Sequence, residues 1–304
     1  MKQYIDLVKH VLENGTRKEN RTGVDTLSTF NYNYVVDLRD GFPLLTTKEV
    51  SWKNIVIENL WFLSGRTDIK LLQKHGCKFW DPWADESGLV PSAYGRFWRN
   101  FPSHGNSLGF SHPHLADYFS YVKNDQVQWV VDELKRNPMS RRCVVSAWAP
   151  ENAQHSKLPP CHAMWILNVQ NELDGSRTLN LHLTQRSADI ALGVPYNVAG
   201  YALILHLISR FTNIPVGRFA HSLIDAHIYT SKSNGEMSEY DHIPGLKAQI
   251  SREPRALPSL EIDESIKSLD DIEKLFELST EEIMSKFIIK GYEPHQKINF
   301  KVAV

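Results

Sequence analysis

Segments with a two-residue hydrophobic period and segments with a 3.6-residue period follow one another in this chain without regular alternation, which narrows the folds open to it. Thr29 to Asp37 places Phe30, Tyr32 and Tyr34 on one face and Asn31 and Asn33 on the other, as a half-buried strand does. Arg142 to Trp148, His162 to Gln170, Thr178 to Arg186 and Val216 to Tyr229 read as further strands, as does the tail from Ile298 to Val304. Leu173-Asp174-Gly175-Ser176 forms a hairpin connection. Helical spacing is found in Tyr4, Leu7, Val8 and Val11, stopping at Asn14-Gly15, and again in Ser51 to Leu63, Val127 to Leu134 and Val198 to Phe211. A doubly wound parallel sheet requires strand and helix to take turns, so the expected class is α+β.

The charge balance limits what such a fold binds. Lys+Arg 34 against Asp+Glu 35 leaves a net charge of −1, with 42% hydrophobic residues. That composition suits a chain with a packed core and lacks the basic excess of a general nucleic-acid binder, so phosphate recognition is expected to be local. The 304 residues allow two domains of about 150 residues or one larger unit. Cys77, Cys143 and Cys161 are too few and too scattered for a disulfide framework or a four-ligand zinc site, which fits a reducing cytoplasm. Lys2, Asp6 and Lys9 interrupt any signal-peptide core, and Val198 to Ile208 is shorter than a membrane span of about 20 residues. A cytoplasmic protein without a membrane segment is expected. His104, His112 and His114, between Pro102 and Lys123, match no metal-ligand spacing, so this stretch reads as a surface loop and no metal is expected.

Several places can carry chemistry. Cys161 follows Pro159-Pro160, so its backbone is restrained; it is either a steadied nucleophile or one more buried, inert cysteine. Consecutive strand residues point to opposite faces, which places His162 poorly as a base for Cys161. Gln185-Arg186-Ser187 ends a strand before the turn Leu192-Gly193-Val194-Pro195-Tyr196-Asn197. Arg186 and Ser187 can donate to phosphate there, beside a helix starting near Asn197, for which an N-cap role is the simpler reading. Arg21 and Arg141-Arg142 add guanidinium groups suited to one phosphomonoester. Glu58 is a lone carboxylate on an apolar helix face, where it needs a purpose or a partner.

These fragments, in order, resemble the folate-dependent thymidylate synthase family nearly end to end. The resemblance is carried by Arg21-Thr22-Gly23, Gly41-Phe42-Pro43-Leu44-Leu45-Thr46-Thr47-Lys48, Glu58 with Leu60-Trp61-Phe62, Trp80-Asp81, Tyr94-Gly95 and Ser140-Arg141-Arg142. It continues through Pro160-Cys161-His162, Gln185-Arg186-Ser187-Ala188-Asp189, Leu192 to Asn197, Asp225-Ala226-His227-Ile228-Tyr229 and Val302-Ala303-Val304. The resemblance implies one catalytic domain over residues 1–304, a large mixed β-sheet flanked by helices, with loop insertions around 102–124 and 230–242. It implies reductive C5-methylation of dUMP, with 5,10-methylenetetrahydrofolate as carbon donor and reductant, by an obligate homodimer needing neither metal nor nucleic acid.

Residue roles follow from the same likeness. Cys161 would add to uracil C6, aided by Arg186. Arg21, Arg186 and Ser187 would hold the phosphate, and Arg141 and Arg142 would reach the partner subunit's site. Asn197 would read N3–H and O4 of uracil, His227 and Tyr229 would contact the sugar, and Glu58, Tyr94 and His162 would move protons. Trp80, Asp81, Asp189, Gly193 and Val304 would meet the folate, with Asp189 on the pteridine and Val304 closing over it. Glu49, Ser51, Ala191, Tyr196 and Gly200 depart from the common pattern, as does the longer segment Thr230 to His242. The competing readings are a deoxyuridylate hydroxymethylase, in which water quenches the intermediate and tetrahydrofolate is left, and a nucleotide- or RNA-binding protein without turnover. A cysteine hydrolase comes third.

Overall fold

The period-2 segments assemble into one mixed sheet in the computed structural model, which describes residues 1–101, 124–150, 156–232, 234–236 and 238–302. Its strands in chain order are β1 (Thr16–Lys18), β2 (Val24–Asp37), β3 (Val144–Ser146), β4 (His162–Asn171), β5 (Arg177–Gln185), β6 (Ala188–Asp189) and β7 (Val216–Lys232). They lie side by side in the order β1-β2-β7-β5-β4-β3, with β6 also pairing β7. β5 and β6 run parallel to β7 and the other neighbours are antiparallel. A separate antiparallel pair joins β8 (Ser259–Ile262) to β9 (Phe287–Lys290).

The helices among the described residues are α1 (Lys2–Asn14), α2 (Trp52–Ser64), α3 (Lys70–Lys74), α4 (Tyr94–Arg99), α5 (Gln126–Arg136), α6 (Gly193–Thr212), α7 (Ile243–Ile250), α8 (Leu269–Leu275) and α9 (Thr280–Met284). A parallel strand pair needs a long crossover, and α6 supplies it between β5 and β7. α6 is apolar almost all round and buries Val198, Leu205 and Ile208 among others, so it belongs inside the molecule. α2 is likewise buried; Ser51 caps it by accepting from Asn54 N at 3.4 Å, and Gly65 ends it at φ 74, where a side chain would be strained. Ser51 thus has a structural use, worth about 1 kcal/mol for a good cap. Trp61, Trp98, Trp165, Tyr201 and Phe219 are fully buried between helices and sheet.

The α+β expectation holds, and several boundaries move. β2 begins at Val24, five residues before the alternating segment. Asn31 takes φ 59 within it, a conformation asparagine tolerates. Tyr34 is buried on one side of that kink, whereas Phe30 on the other is 82% exposed, so the three aromatics do not share a buried face. Of Arg142 to Trp148 only β3 is strand. α6 starts at Gly193 with Leu192 at its N-cap, so Asn197 is inside the helix rather than capping it, because Pro195 is accommodated in the first turn where it loses no hydrogen bond. The tail reads as a strand but residues 292–302 have no regular secondary structure. They pack on α7 instead, with Phe300 against the backbone of Gly245 and His242 bonding the Lys301 carbonyl at 2.9 Å. Around 230–242, β7 runs on to Lys232 and turns back through Lys232 N to Glu236 O at 2.9 Å. The expected loop at 102–123 lies outside the described residues. No described helix is long and apolar enough to cross a membrane.

Candidate active site

The ends of β4, β5 and β6 and the start of α6 converge on one opening, which brings together segments separated in sequence. A cavity of about 770 Å³ is lined there by Arg21, Cys161, Arg186, Ser187, Asp189 and Gly193, and also by Asn197, His227, Tyr229 and Val302. Behind it lies a smaller chamber of about 170 Å³, lined by Glu58, Trp80, Tyr94 and Tyr201. His162, Asn197, Leu158 and Trp83 line both.

Cys161 sits at the start of β4, its backbone N–H donating to the Tyr94 hydroxyl at 3.2 Å. Arg186 holds the turn before it: Nη2 donates to Pro159 O at 2.7 Å and Nε to Pro160 O at 3.0 Å. The Arg186 backbone N–H reaches Cys161 O at 2.9 Å. The guanidinium expected to serve a thiolate and a phosphate also commits two of its donors to the Pro-Pro carbonyls. Burial pushes the Cys161 thiol above its ordinary range, and the Arg186 guanidinium, the Tyr94 hydroxyl and Arg21 pull it back.

Trp80 Nε1 donates to Glu58 Oε1 at 2.8 Å. Burial pushes the Glu58 carboxyl up to about 7, with the indole bond opposing, so the acid and the carboxylate are both accessible near neutrality. His162 stacks on Tyr94 with centroids 4.5 Å apart and planes at 7°. Burial holds its ring down to about 3, against a hydrogen bond with Asn197, so the imidazole is neutral. His162 Nδ1 and Tyr201 Oη are buried without a partner among the described residues. Gly200 approaches Asn59 so closely that a Cβ there would sit 2.6 Å from Asn59 Nδ2; the departure from the common pattern at this position goes with tight contact between α2 and α6.

Asn197, one turn into α6, has its Oδ1 bonded by Gln185 Nε2 at 3.1 Å. Gln185 has no role in the sequence reading. Its signal was nonetheless there: it falls on the inward phase of β5 after Leu181 and Leu183, where a polar group requires a partner. Asp189 Oδ1 accepts from Ala191 N at 2.9 Å and Leu192 N at 3.2 Å, and Oδ2 takes no part in these bonds. Beneath it Lys48, also unremarked in role, donates to Ala191 O at 2.6 Å; burial brings it down to about 8. On the far wall burial opposes the ionisation of Asp225, but hydrogen bonds from His227, Lys18 and Ser28 keep it below the usual carboxylate range.

Not every expected residue is here. Asp81 accepts from Gln73 at 3.0 Å and lines neither chamber. Arg141 and Arg142 are exposed and line neither. Val304 lies outside the described residues, although Val302 reaches the outer cavity. Among the described residues no cluster of three His, Cys, Asp or Glu side chains is gathered for a metal.

The comparisons with known proteins bear on this geometry. A sequence model of the family described as thymidylate synthase matches residues 2–304. A curated thymidylate synthase of Haloferax volcanii is 38% identical over 348 residues, covering 98% of this chain and 95% of that protein.

Proposed function

Because this chain belongs to the thymidylate synthase family, we propose that its outer cavity holds dUMP against Cys161 and that folate binds where this cavity opens on the inner chamber. The enzyme is a methyltransferase that forms dTMP from dUMP. The observation that carries the residue assignment is the presence of Cys161, Arg21, Ser187, Asn197, His227 and Tyr229 on the wall of one cavity, a nucleophile with donors for phosphate, base and sugar.

Arg21 and Ser187 take the phosphate, joined by the Arg186 donors left over from the Pro-Pro turn. His227 and Tyr229 hold the sugar. Cys161 places its sulfur electron pair on C6, and the C5–C6 π pair moves into the enolate at O4, where an Asn197 amide N–H stabilises the charge. Neutral His162 and Tyr94 relay the C5 proton, and the Cys161 sulfur leaves with the C6–S pair as the C5=C6 double bond reforms. Glu58, ionising near neutrality, exchanges protons at the base.

The residues fit a folate. A flat pterin would meet the aromatic wall of Trp80 and Trp83 and the Asp189 carboxylate, whose Oδ2 can accept from ring N–H groups; Gly193 leaves that approach open, and Val304 is assigned to close over the bound folate. When bound, methylenetetrahydrofolate supplies the one-carbon unit and the hydride. Asp81, bonded to Gln73, is adjacent in sequence to Trp80 and meets the folate only through it in this reading.

Asn197→Asp tests the base reading. A carboxyl accepts or donates where the amide does the reverse, so the variant is expected to lose about 10²-fold or more in kcat/KM for dUMP while gaining affinity for dCMP. Retention of the parent preference in calorimetric titrations with both nucleotides would remove Asn197 from that role.

We further propose a homodimer joined through the sheet face away from α2 and α6. Alternate residues there, such as Ile166 and Ala220, stay partly exposed beside polar neighbours such as His182 and Ser222, and Val35 is 50% exposed; a face of this mixed character suits a second copy of the chain. Arg141 and Arg142 then reach the partner's phosphate. Mixing inactive Cys161→Ala protein with inactive Arg141→Ala/Arg142→Ala protein is expected to restore about a quarter of parent activity, because in a two-fold dimer each mixed pair keeps one whole site. No recovery after subunit exchange would exclude the shared site. We take the chain as one catalytic unit over 1–304, with surface insertions around 102–124 and 230–242, acting in the cytoplasm. The family match over 2–304 and three free cysteines support that reading.

A further inference from the structure

A buried chain of hydrogen bonds crosses the sheet and ends on Asn197. Tyr34 on β2 pairs in register with His221 on β7, and its hydroxyl lies 2.7 Å from His221 Nδ1. His221 Nε2 lies 2.9 Å from Gln185 Oε1 on β5. Gln185 Nε2 then donates to Asn197 Oδ1 at 3.1 Å and to Ser187 O at 3.0 Å. Tyr34, His221 and Gln185 are all less than 9% exposed, and the strand phase of His221, between Phe219 and Leu223, is one an apolar residue would fill at no polar cost.

The chain has a direction. Both amide hydrogens of Gln185 are used, so Oε1 faces His221 as an acceptor. His221 must therefore carry its proton on Nε2, which leaves Nδ1 to accept from the Tyr34 hydroxyl. Burial keeps this imidazole neutral, well below its ordinary range, so a single tautomer satisfies every member. Run in that direction, the chain delivers an N–H to Asn197 Oδ1 and turns Nδ2 away from Gln185, with His162 the other side chain hydrogen-bonded to Asn197.

We infer that Tyr34 and His221 are positioning residues for base selection: neither touches the substrate, and together they set which way the Asn197 amide faces. This rests on the proposed reading of Asn197 as the group that meets the pyrimidine edge. Without His221, Gln185 Oε1 is a buried acceptor with no donor, the Gln185 side chain loosens, and the Asn197 amide is no longer held to one orientation.

The test compares dissociation constants of dUMP and dCMP, by calorimetry, for the parent, Tyr34→Phe, His221→Leu and His221→Gln proteins, with thermal melts as a check of folding. His221→Leu is expected to narrow the preference for dUMP by roughly tenfold, Tyr34→Phe by a few-fold in the same sense, and His221→Gln, which can donate and accept in the same direction, to restore most of it. A structural role alone would lower the melting temperature and leave the ratio where it was. Should His221→Leu fail to fold, Tyr34→Phe, which removes one oxygen, decides the matter. Ratios within twofold of the parent in folded His221→Leu and Tyr34→Phe proteins would overturn the relay. A parent protein that does not prefer dUMP would overturn the Asn197 reading itself, and the relay with it.

Discussion

Cys161→Ala lowers turnover by on the order of 10⁴-fold or more, with dUMP binding changed only a few-fold. Alanine removes the one atom proposed to bond C6, and without that bond uracil C5 has no enolate to react from. The phosphate and sugar contacts assigned to Arg21, Ser187, His227 and Tyr229 do not involve the sulfur, so binding survives. The backbone N–H of residue 161 still donates to the Tyr94 hydroxyl, which keeps the turn in place. The direct measurement is covalent. Incubation with 5-fluoro-dUMP and methylenetetrahydrofolate is expected to add both masses to a peptide containing Cys161 in the parent and to leave the variant unmodified. An adduct that survives Cys161→Ala would place the nucleophile elsewhere.

Glu58→Gln is expected to lower kcat by about 10²- to 10³-fold and, at the same time, to stabilise the protein in alkaline buffer. The first effect follows from replacing a group that exchanges protons near neutrality by one that does not. A limb with an apparent pKa of about 7 in the parent rate profile should vanish in the variant. The second follows from linkage. The folded carboxyl titrates at about 7 and the ordinary one at 4.5, so between those pH values the folded state binds more protons than the unfolded one and stability falls as pH rises. Below 4.5 both states are protonated and there is no penalty. Above 7 the penalty is fully developed, at roughly 3 kcal/mol for a shift of this size. Glutamine carries no such cost and can still accept from Trp80, so its melting temperature should exceed the parent's at pH 8.5 and approach it at pH 4.5. A variant that is less stable than the parent at the higher pH would contradict a desolvated Glu58.

Both effects arise at residues that stand out in the chain before any fold is known. Cys161 follows two prolines, and Glu58 interrupts an apolar helical face; each is odd for a local reason. Asn197 was visible too, but its placement was not. As the possible cap of a helix beginning near residue 197 it needed no substrate. The helix in fact begins at Gly193, so the amide projects from the second turn toward the cavity and is held there by Gln185. Arg186 has a further use that the chain order does not show: beside its pull on the Cys161 thiol, two of its donors go to carbonyl groups that only the bend at Pro159-Pro160 presents. The C-terminal tail reads as strand by composition, yet Phe300 found the flat backbone of Gly245 and no sheet edge.

The order of short and long hydrophobic periods determined the α+β class, and the order of the motifs determined the family, because both are written along the chain. What the tertiary structure alone decided is which polar groups share a dry environment and with whom. Trp80 meets Glu58 across 22 residues, Arg186 meets Pro159 across 27, and Tyr34 meets His221 across 187. Periodicity measures burial one residue at a time, whereas ionisation and hydrogen-bond direction depend on partners that only the folded chain brings within 3 Å of each other.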